Sequence, residues 1–262
     1  MNLPQTAPVL LSREGGIAFL TLNRPEAINA LDVPTAKAFL AACRTLPGDA
    51  TVRAVVVRGS GRAFGVGGDL AALQHDSAAV AEALIDILHE AVLLLAALDA
   101  PVIASLHGVA AGGSLSLSMA CDLAIAAEGT RFNLAYANVA ASCDVSSSWN
   151  LPRLVGLRNA MQIALLSETF DAAQALRLGL VNWVVPAADL ERETLALAQR
   201  LATGPTLAYG RLKRLMRQSF ETALPAQLDA ERENFKESTA TGDFKEALQA
   251  FFAKRPPVFR GI

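Results

Sequence analysis

Histidine and cysteine are scarce in this chain, with three of each in 262 residues. No His/Cys/Asp cluster has metal-ligand spacing, so a metal centre is not expected. Cys43, Cys121 and Cys143 are odd in number and too widely spaced for a C-x-x-C pair, which argues against a disulfide framework and for a reducing compartment. Charge of one sign is lacking too. The 23 basic and 25 acidic residues leave a formal net charge of −2 and are interspersed, giving no reason to expect nucleic acid or an anionic membrane as partner. Long apolar runs are absent. The longest, AVLLLAAL at 91–98, is closed by Glu90 and Asp99 and is too short to span a bilayer, so it reads as a buried helix segment. The first residues lack the basic start, apolar stretch and small-residue cleavage site of a secretory leader. A cytoplasmic protein is expected. Neither G-x-x-x-x-G-K-[ST] nor a helix-opening G-x-G-x-x-G is found, and no G-x-S-x-G elbow accompanies Ser146, Ser147 and Ser148. Low-complexity segments and repeats of fixed period are also missing.

What remains is a chain with 52% hydrophobic residues, enough to bury a sizeable core. Residues 9–13 and 17–22 flank Gly15-Gly16 and predict a β-hairpin. Apolar spacing predicts helices over 34–46 and 78–98. The β-branched run at 52–57 and VIASL at 102–106 predict buried parallel strands. Strand and helix thus alternate, and the first half is α/β. Short strands are expected at 123–126 and 181–185, and helices at 158–166, 171–178, 190–202, 207–220, 226–238 and 244–253. Gly204-Pro205 marks a break. It divides a core at 1–203 from a helical region at 204–262 with apolar residues that a small unit would not bury alone.

The stretch 107–156 organises the rest. It reads as a short strand running through Gly108, Gly112 and Gly113 into an amphipathic helix. The unpaired N–H groups of a first helical turn favour an acceptor acquiring negative charge. A second glycine-rich loop, Gly65 to Asp69, follows a strand that is a plausible sheet neighbour. Gly68 and Gly113 can each aim a backbone N–H at one carbonyl oxygen, an arrangement worth a few kcal/mol to its enolate or tetrahedral form. Plain turns have the same composition, and spacing leaves both readings open.

The motifs NRPEAINAL, RAFGVGGDL, APVIASLHGVAAGG, ACDLAIAAEGTRF and LPRLVG occur in that order over essentially the whole chain. On these the sequence is identified as a member of the crotonase (enoyl-CoA hydratase/isomerase) superfamily. The resemblance implies an α/β crotonase (ClpP-like) fold of repeated ββα units, with a C-terminal helical trimerisation region. It implies an acyl-CoA substrate, a homotrimer or hexamer, and no cofactor beyond the coenzyme A of the substrate thioester. It places the thioester oxygen on the amides of Gly68 and Gly113. Substrate contacts then fall on Gly68, Asp69, Leu70, Ala71, Gly113 and Ser116, and coenzyme A contacts on Arg24, Ala27 and Ile28. The two glutamates of the family's hydratases fall on Ser116 and Tyr136. Neither serine nor tyrosine is a competent base near neutral pH, so classical hydration is not expected.

A carboxylate follows at Asp144, where dienoyl-CoA isomerases, ring 1,2-epoxyphenylacetyl-CoA isomerase and 4-chlorobenzoyl-CoA dehalogenase carry an aspartate. The C-terminal run PTLAYGRLKRLM through AFFAKRPPVFRG resembles the epoxyphenylacetyl-CoA isomerase group most. One carboxylate suffices for an isomerisation that takes a proton from one carbon and returns it to another. The plain alternative for Asp144 is a helix N-cap before VSSSW. His89 falls where the dehalogenase has a functional histidine, which would make Asp144 a nucleophile and His89 the helper of ester hydrolysis. Otherwise His89 is a structural helix histidine. Tyr136 stands where the dehalogenase has tryptophan and weakens that reading, yet it can donate a hydrogen bond beside Asp144. A non-catalytic acyl-CoA-binding protein is the third possibility. His107 is expected to be structural, His75 solvated and Cys143 a small buried thiol. Arg211, Lys213, Arg214 and Arg217 give one helix a basic face, read as solvated ahead of a site for coenzyme A phosphates or RNA.

Overall fold

A computed structural model describes residues 7–74 and 77–262 of the chain. His75 and the first six residues, on which the reading of the N-terminus rests, lie outside the described residues. The chain starts with an antiparallel hairpin of β1 (Val9–Glu14) and β2 (Ile17–Leu22). Next comes α1 (Val33–Cys43), whose N-cap Asp32 accepts the Thr35 N–H at 2.8 Å. Strand β3 (Ala54–Gly59), helix α2 (Ser77–Ala97) and strand β4 (Val102–Leu106) continue the alternation. The middle of the chain forms β5 (Val109–Ala111), α3 (Gly112–Met119), β6 (Leu123–Ala127), β7 (Arg131–Asn133), α4 (Ser147–Val155), α5 (Leu157–Leu166) and β8 (Phe170–Asp171). Then come α6 (Ala172–Leu178), β9 (Trp183–Val185) and α7 (Leu190–Ala202). Helices α8 (Thr206–Gln218), α9 (Leu224–Thr239) and α10 (Gly242–Phe252) close the chain.

Six strands form one sheet in the order β1-β2-β3-β4-β6-β9, parallel from β2 onward. Both of its faces are covered, which is why β3 opens on the apolar run AVVV and β4 reads VIASL, with Ser105 its one polar side chain. Val55 and Val57 point into the core built with α1 and α2, whereas Ala54 and Val56 meet α7 on the other face. Strands β5, β7 and β8 make a second, small sheet. The chain passes from β4 to β5 at Gly108, whose φ is +61°. A Cβ there would stand 2.0 Å from the Arg62 carbonyl oxygen, so only glycine lets the two segments approach this closely.

Three features depart from the expectations. Helix α3 is not amphipathic, because all eight of its residues are buried. It is packed against β5, β7 and α4. Strands β7 and β8, of three and two residues, are too short to leave a periodic pattern. Helix α4 is foreseen only in the alternative that makes Asp144 an N-cap before VSSSW; its N-cap is instead Ser146, in the left-handed region at φ +63°, and Pro152 lies inside it.

The basic face of α8 is not a solvated one. Lys213 and Arg217 bind Asp122 at 2.7 and 2.9 Å, Arg214 binds Asp99 at 2.7 Å, and Arg211 lies 3.4 Å from Glu237. Their charges dock α8 onto the core and α9. Among the described residues, no helix is long and apolar enough to cross a membrane.

Candidate active site

Two loops meet above the sheet. The segment after β3 bridges to β5 through Gly65 and Ala110, and to the start of α1 through Gly68 and Leu31. In the second bridge Leu31 donates to the Gly67 carbonyl at 2.8 Å and accepts from Asp69 at 2.9 Å. The Gly68 amide is therefore left outside that pairing. Gly67, at φ +90°, has its Cα against the start of α3, and a Cβ there would stand 2.8 Å from the Gly113 nitrogen. Ser114, fully buried, accepts the Gly67 N–H at 3.0 Å and fixes this approach. Gly113 is the second residue of α3, so its N–H has no partner within the helix. The two amides expected to act together are thus on adjoining segments.

Both glycines line a cavity of about 630 Å³. Helix α2 supplies one wall through Ala81, Leu84, Ile85 and Leu88, and Leu31, Leu73 and Val139 extend the apolar lining. Asp69, Tyr136 and Asp144 are its ionisable side chains. They differ in what they have left to offer. Asp69 is spoken for: Arg24 lies 3.3 Å from its Oδ2, and the Ala71 N–H donates to its Oδ1 at 3.2 Å. Among the described residues, no hydrogen bond reaches the second carboxylate oxygen of Asp144. Its Oδ1 accepts the Tyr136 hydroxyl, the single side chain among the described residues that hydrogen-bonds this carboxylate. A Cβ on Gly113 would stand 3.7 Å from the same oxygen and 3.8 Å from the Tyr136 hydroxyl. The acid thus lies beside Gly113 in the lining of the cavity that Gly68 also borders.

Burial and then the nearby Asp144 charge push the Tyr136 phenol well above its ordinary range, and the hydrogen bond to Asp144 adds to this. Tyr136 is held protonated and acts as a donor. Since its proton goes to Asp144, the 3.0 Å contact with Ser116 Oγ has Ser116 as donor to the phenol oxygen. The one Ser116 proton is shared between that oxygen and the Gly112 carbonyl at 3.2 Å, and Ser116 is fully buried beneath the cavity rather than lining it.

The other expected residues are placed as follows. Leu70 lines the cavity at its exposed mouth, with Ala71 just beyond. Arg24 is turned inward, to the Ala30 carbonyl at 2.8 Å, to Asp32 at 3.0 Å and to Asp69. Ala27 and Ile28 belong to the turn beside it, Ile28 at φ +53°. Asp144 is not a side-chain N-cap: Ser146 holds that position in α4, and the Asp144 carboxylate goes to Tyr136 instead. His89 Nε2 accepts the Val145 N–H at 3.3 Å. His107 Nε2 lies 3.0 Å from the Gly61 carbonyl, to which it must donate, a structural role. Cys43 and Cys121 are buried and Cys143 is half-buried, all as free thiols. Burial pushes the Cys43 thiol up to about 12. Sequence reasoning missed Ser114, Val145 and the α2 wall. The GGS run hinted at Ser114, but nothing in the periodicity of α2 tells a cavity wall from core.

A family model described as enoyl-CoA hydratase/isomerase matches residues 12–261. The chain belongs to the enoyl-CoA hydratase/isomerase family. It is 39% identical over 250 residues to a Rhodobacter capsulatus protein named "Probable enoyl-CoA hydratase", covering 94% of this chain and 95% of that one. To the 1,2-epoxyphenylacetyl-CoA isomerase of Escherichia coli it is 35% identical over 258 residues, covering 97% and 98%. The solved structure of an enoyl-CoA hydratase from Mycobacterium smegmatis superposes with a TM-score of 0.90 at 33% identity, over 96% of this chain and 98% of that one. The fold is therefore the crotonase fold, and the protein is an acyl-CoA enzyme of the enoyl-CoA hydratase/isomerase family. Its relatives include hydratases and isomerases. Among the described residues that line the cavity there is no glutamate.

Proposed function

We propose that the protein is an acyl-CoA isomerase in which Asp144 moves the proton and the amides of Gly68 and Gly113 hold the thioester oxygen. The Asp144 carboxylate takes a proton from a carbon next to, or conjugated with, the thioester, and the electron pair left behind spreads onto the oxygen. Two N–H donors aimed at that oxygen stabilise the resulting dienolate by about 3 kcal/mol for each donor lost on mutation. The proton then returns from Asp144 to a different carbon, so atoms are conserved and only the double bond or ring has shifted. The supporting observation is the placement of Asp144 Oδ1, 3.7 Å from a Cβ built on Gly113 and bonded to a protonated tyrosine. Hydration would need a second free acid or base, and Asp69 is already bound by Arg24.

The test compares wild type with Asp144→Asn on dienoyl-, 3-enoyl- and epoxyphenylacetyl-CoA. A fall in turnover of at least about a hundredfold, the lower end of what a positioned acid or base contributes, is the expected result. Retained turnover would remove Asp144 from the mechanism. Tight acyl-CoA binding with no turnover on any substrate would make the chain a binding protein. A covalent aspartyl ester, sought by mass spectrometry after rapid quench, would make Asp144 a nucleophile as in a dehalogenase. Against that last reading, His89 Nε2 is occupied by the Val145 N–H. Apolar side chains exposed on α5 and α10, such as Leu165 at 72% and Phe252 at 79%, support assembly into a trimer or hexamer, which light scattering distinguishes.

A further inference from the structure

Asp144 is followed by two residues in the left-handed region, Val145 at φ +49° and Ser146 at φ +63°. A β-branched residue rarely adopts this conformation, and surrounding contacts must hold it there. Val145 is 1% exposed, so its N–H cannot turn to water and needs a partner inside the protein. That partner is His89, whose Nε2 accepts the Val145 N–H at 3.3 Å. An imidazole nitrogen that accepts carries a lone pair, so the ring is neutral with its proton on Nδ1. His89 stands on α2 directly after Leu88, and Leu84, Ile85 and Leu88 form the cavity wall. The bond therefore joins the wall of the cavity to the peptide that carries the carboxylate. His89 itself does not line the cavity.

Resting on the reading of Asp144 as proton carrier, we infer that His89 is a positioning residue for the reaction. By accepting the Val145 N–H it fixes the peptide plane between Asp144 and Val145. It thereby sets the direction in which the carboxylate enters the cavity relative to α2. Misplacing a catalytic group by about 1 Å costs on the order of a hundredfold in rate, so one such bond has leverage on turnover without touching substrate.

Two amide substitutions test this, because they differ only in reach. In His89→Gln the amide oxygen can stand where Nε2 stands and accept the same N–H. In His89→Asn it reaches only the position of Nδ1. His89→Gln should keep turnover within about threefold of wild type, while His89→Asn should lose about ten- to a hundredfold in kcat with KM changed less than about twofold. Equal and severe loss in both would show that the ring itself is required, as for a base that activates water, and would overturn the inference. Wild-type kcat in both would do so as well. Adding His89→Asn to Asp144→Asn separates this inference from the reading beneath it. If His89 acts through Asp144, the second substitution lowers the residual turnover by less than about twofold, and a full additive loss contradicts it. Should Asp144→Asn alone retain full turnover, the reading of Asp144 falls. Should Asp144→Asn be inactive and His89→Asn unimpaired, only the role of His89 falls.

Discussion

Tyr136 donates its hydroxyl to Asp144 Oδ1 and receives the hydroxyl of Ser116 at 3.0 Å. Ser116 and Tyr136 stand where the sequence resemblance puts the two hydratase glutamates. In this chain those positions hold neither an acid nor a base. They form a short run of donors ending on a carboxylate supplied from elsewhere, eight residues beyond Tyr136.

Removing the Tyr136 hydroxyl takes away the one side-chain donor to Asp144 among the described residues. A hydrogen bond to a charged group is worth about 1.5–3 kcal/mol, but water entering the cavity can replace part of it. Tyr136→Phe is therefore expected to lower kcat by about tenfold, less than Asp144→Asn, with KM little changed. The same variant reports on alkaline stability. Burial first, and the Asp144 charge second, raise the Tyr136 phenol above the ordinary value near 10.0 that it regains on unfolding. Between those values the folded chain keeps a proton that the unfolded chain releases. The stabilisation is complete below about pH 10 and is lost as pH rises toward the folded value. Urea unfolding above pH 10 should show wild type losing stability more steeply than Tyr136→Phe; parallel curves would contradict this.

Gly67 is where the amide pair is most exposed to disruption. A Cβ there would lie 2.8 Å from the Gly113 nitrogen and 3.0 Å from both the Ala111 oxygen and the Gly112 Cα. These are backbone atoms, and φ is +90°, so neither neighbour nor residue can adjust cheaply. Gly67→Ala should push the loop off α3, costing about 1–3 kcal/mol in stability and at least about a hundredfold in kcat/KM. At Gly68 the nearest atom to a Cβ is Leu84 Cδ2 at 4.0 Å, so Gly68→Ala should fold with near-normal stability. Denaturant midpoints for the two variants give the comparison, and equal losses would count against it.

Much of this was legible in the sequence, for identifiable reasons. The sheet was, because strands buried on both faces, such as AVVV in β3, leave no polar alternation to confuse with a surface strand. The glycine loops were visible as composition, but composition alone did not separate a pair of amides from ordinary turns; the resemblance carried by several motifs in order and at matching separations pointed to the pair. Helix α3 misled, since a helix sandwiched between layers shows no polar face. The orientation of Asp144 was hidden as well. It depends on Val145 and Ser146 adopting left-handed backbone and on His89, 56 residues away, accepting one N–H. No local pattern records a contact of that separation.

Asp122 links the C-terminal helices to the core. It accepts the Val102 N–H at 2.8 Å, Lys213 at 2.7 Å and Arg217 at 2.9 Å, while Lys213 also donates to the Ala100 carbonyl at 3.0 Å. Burial lowers the Lys213 ammonium from its ordinary value, with the Arg217 charge adding to this, against the opposing pull of Asp122. The two halves of the pair should then respond unequally to deletion. Lys213→Met leaves Asp122 with Arg217 and the Val102 N–H, and relieves an ammonium that burial disfavours. It should cost no more than about 1 kcal/mol. Asp122→Ala leaves two cations facing each other and an unpaired strand N–H, and should cost about 3–5 kcal/mol, the range for breaking a buried pair. Urea denaturation gives the order, and limited proteolysis adds its location: in Asp122→Ala, cleavage should begin between α7 and α8, around Gly204. A larger loss in Lys213→Met than in Asp122→Ala would mean that the ammonium, not the carboxylate, organises the joint.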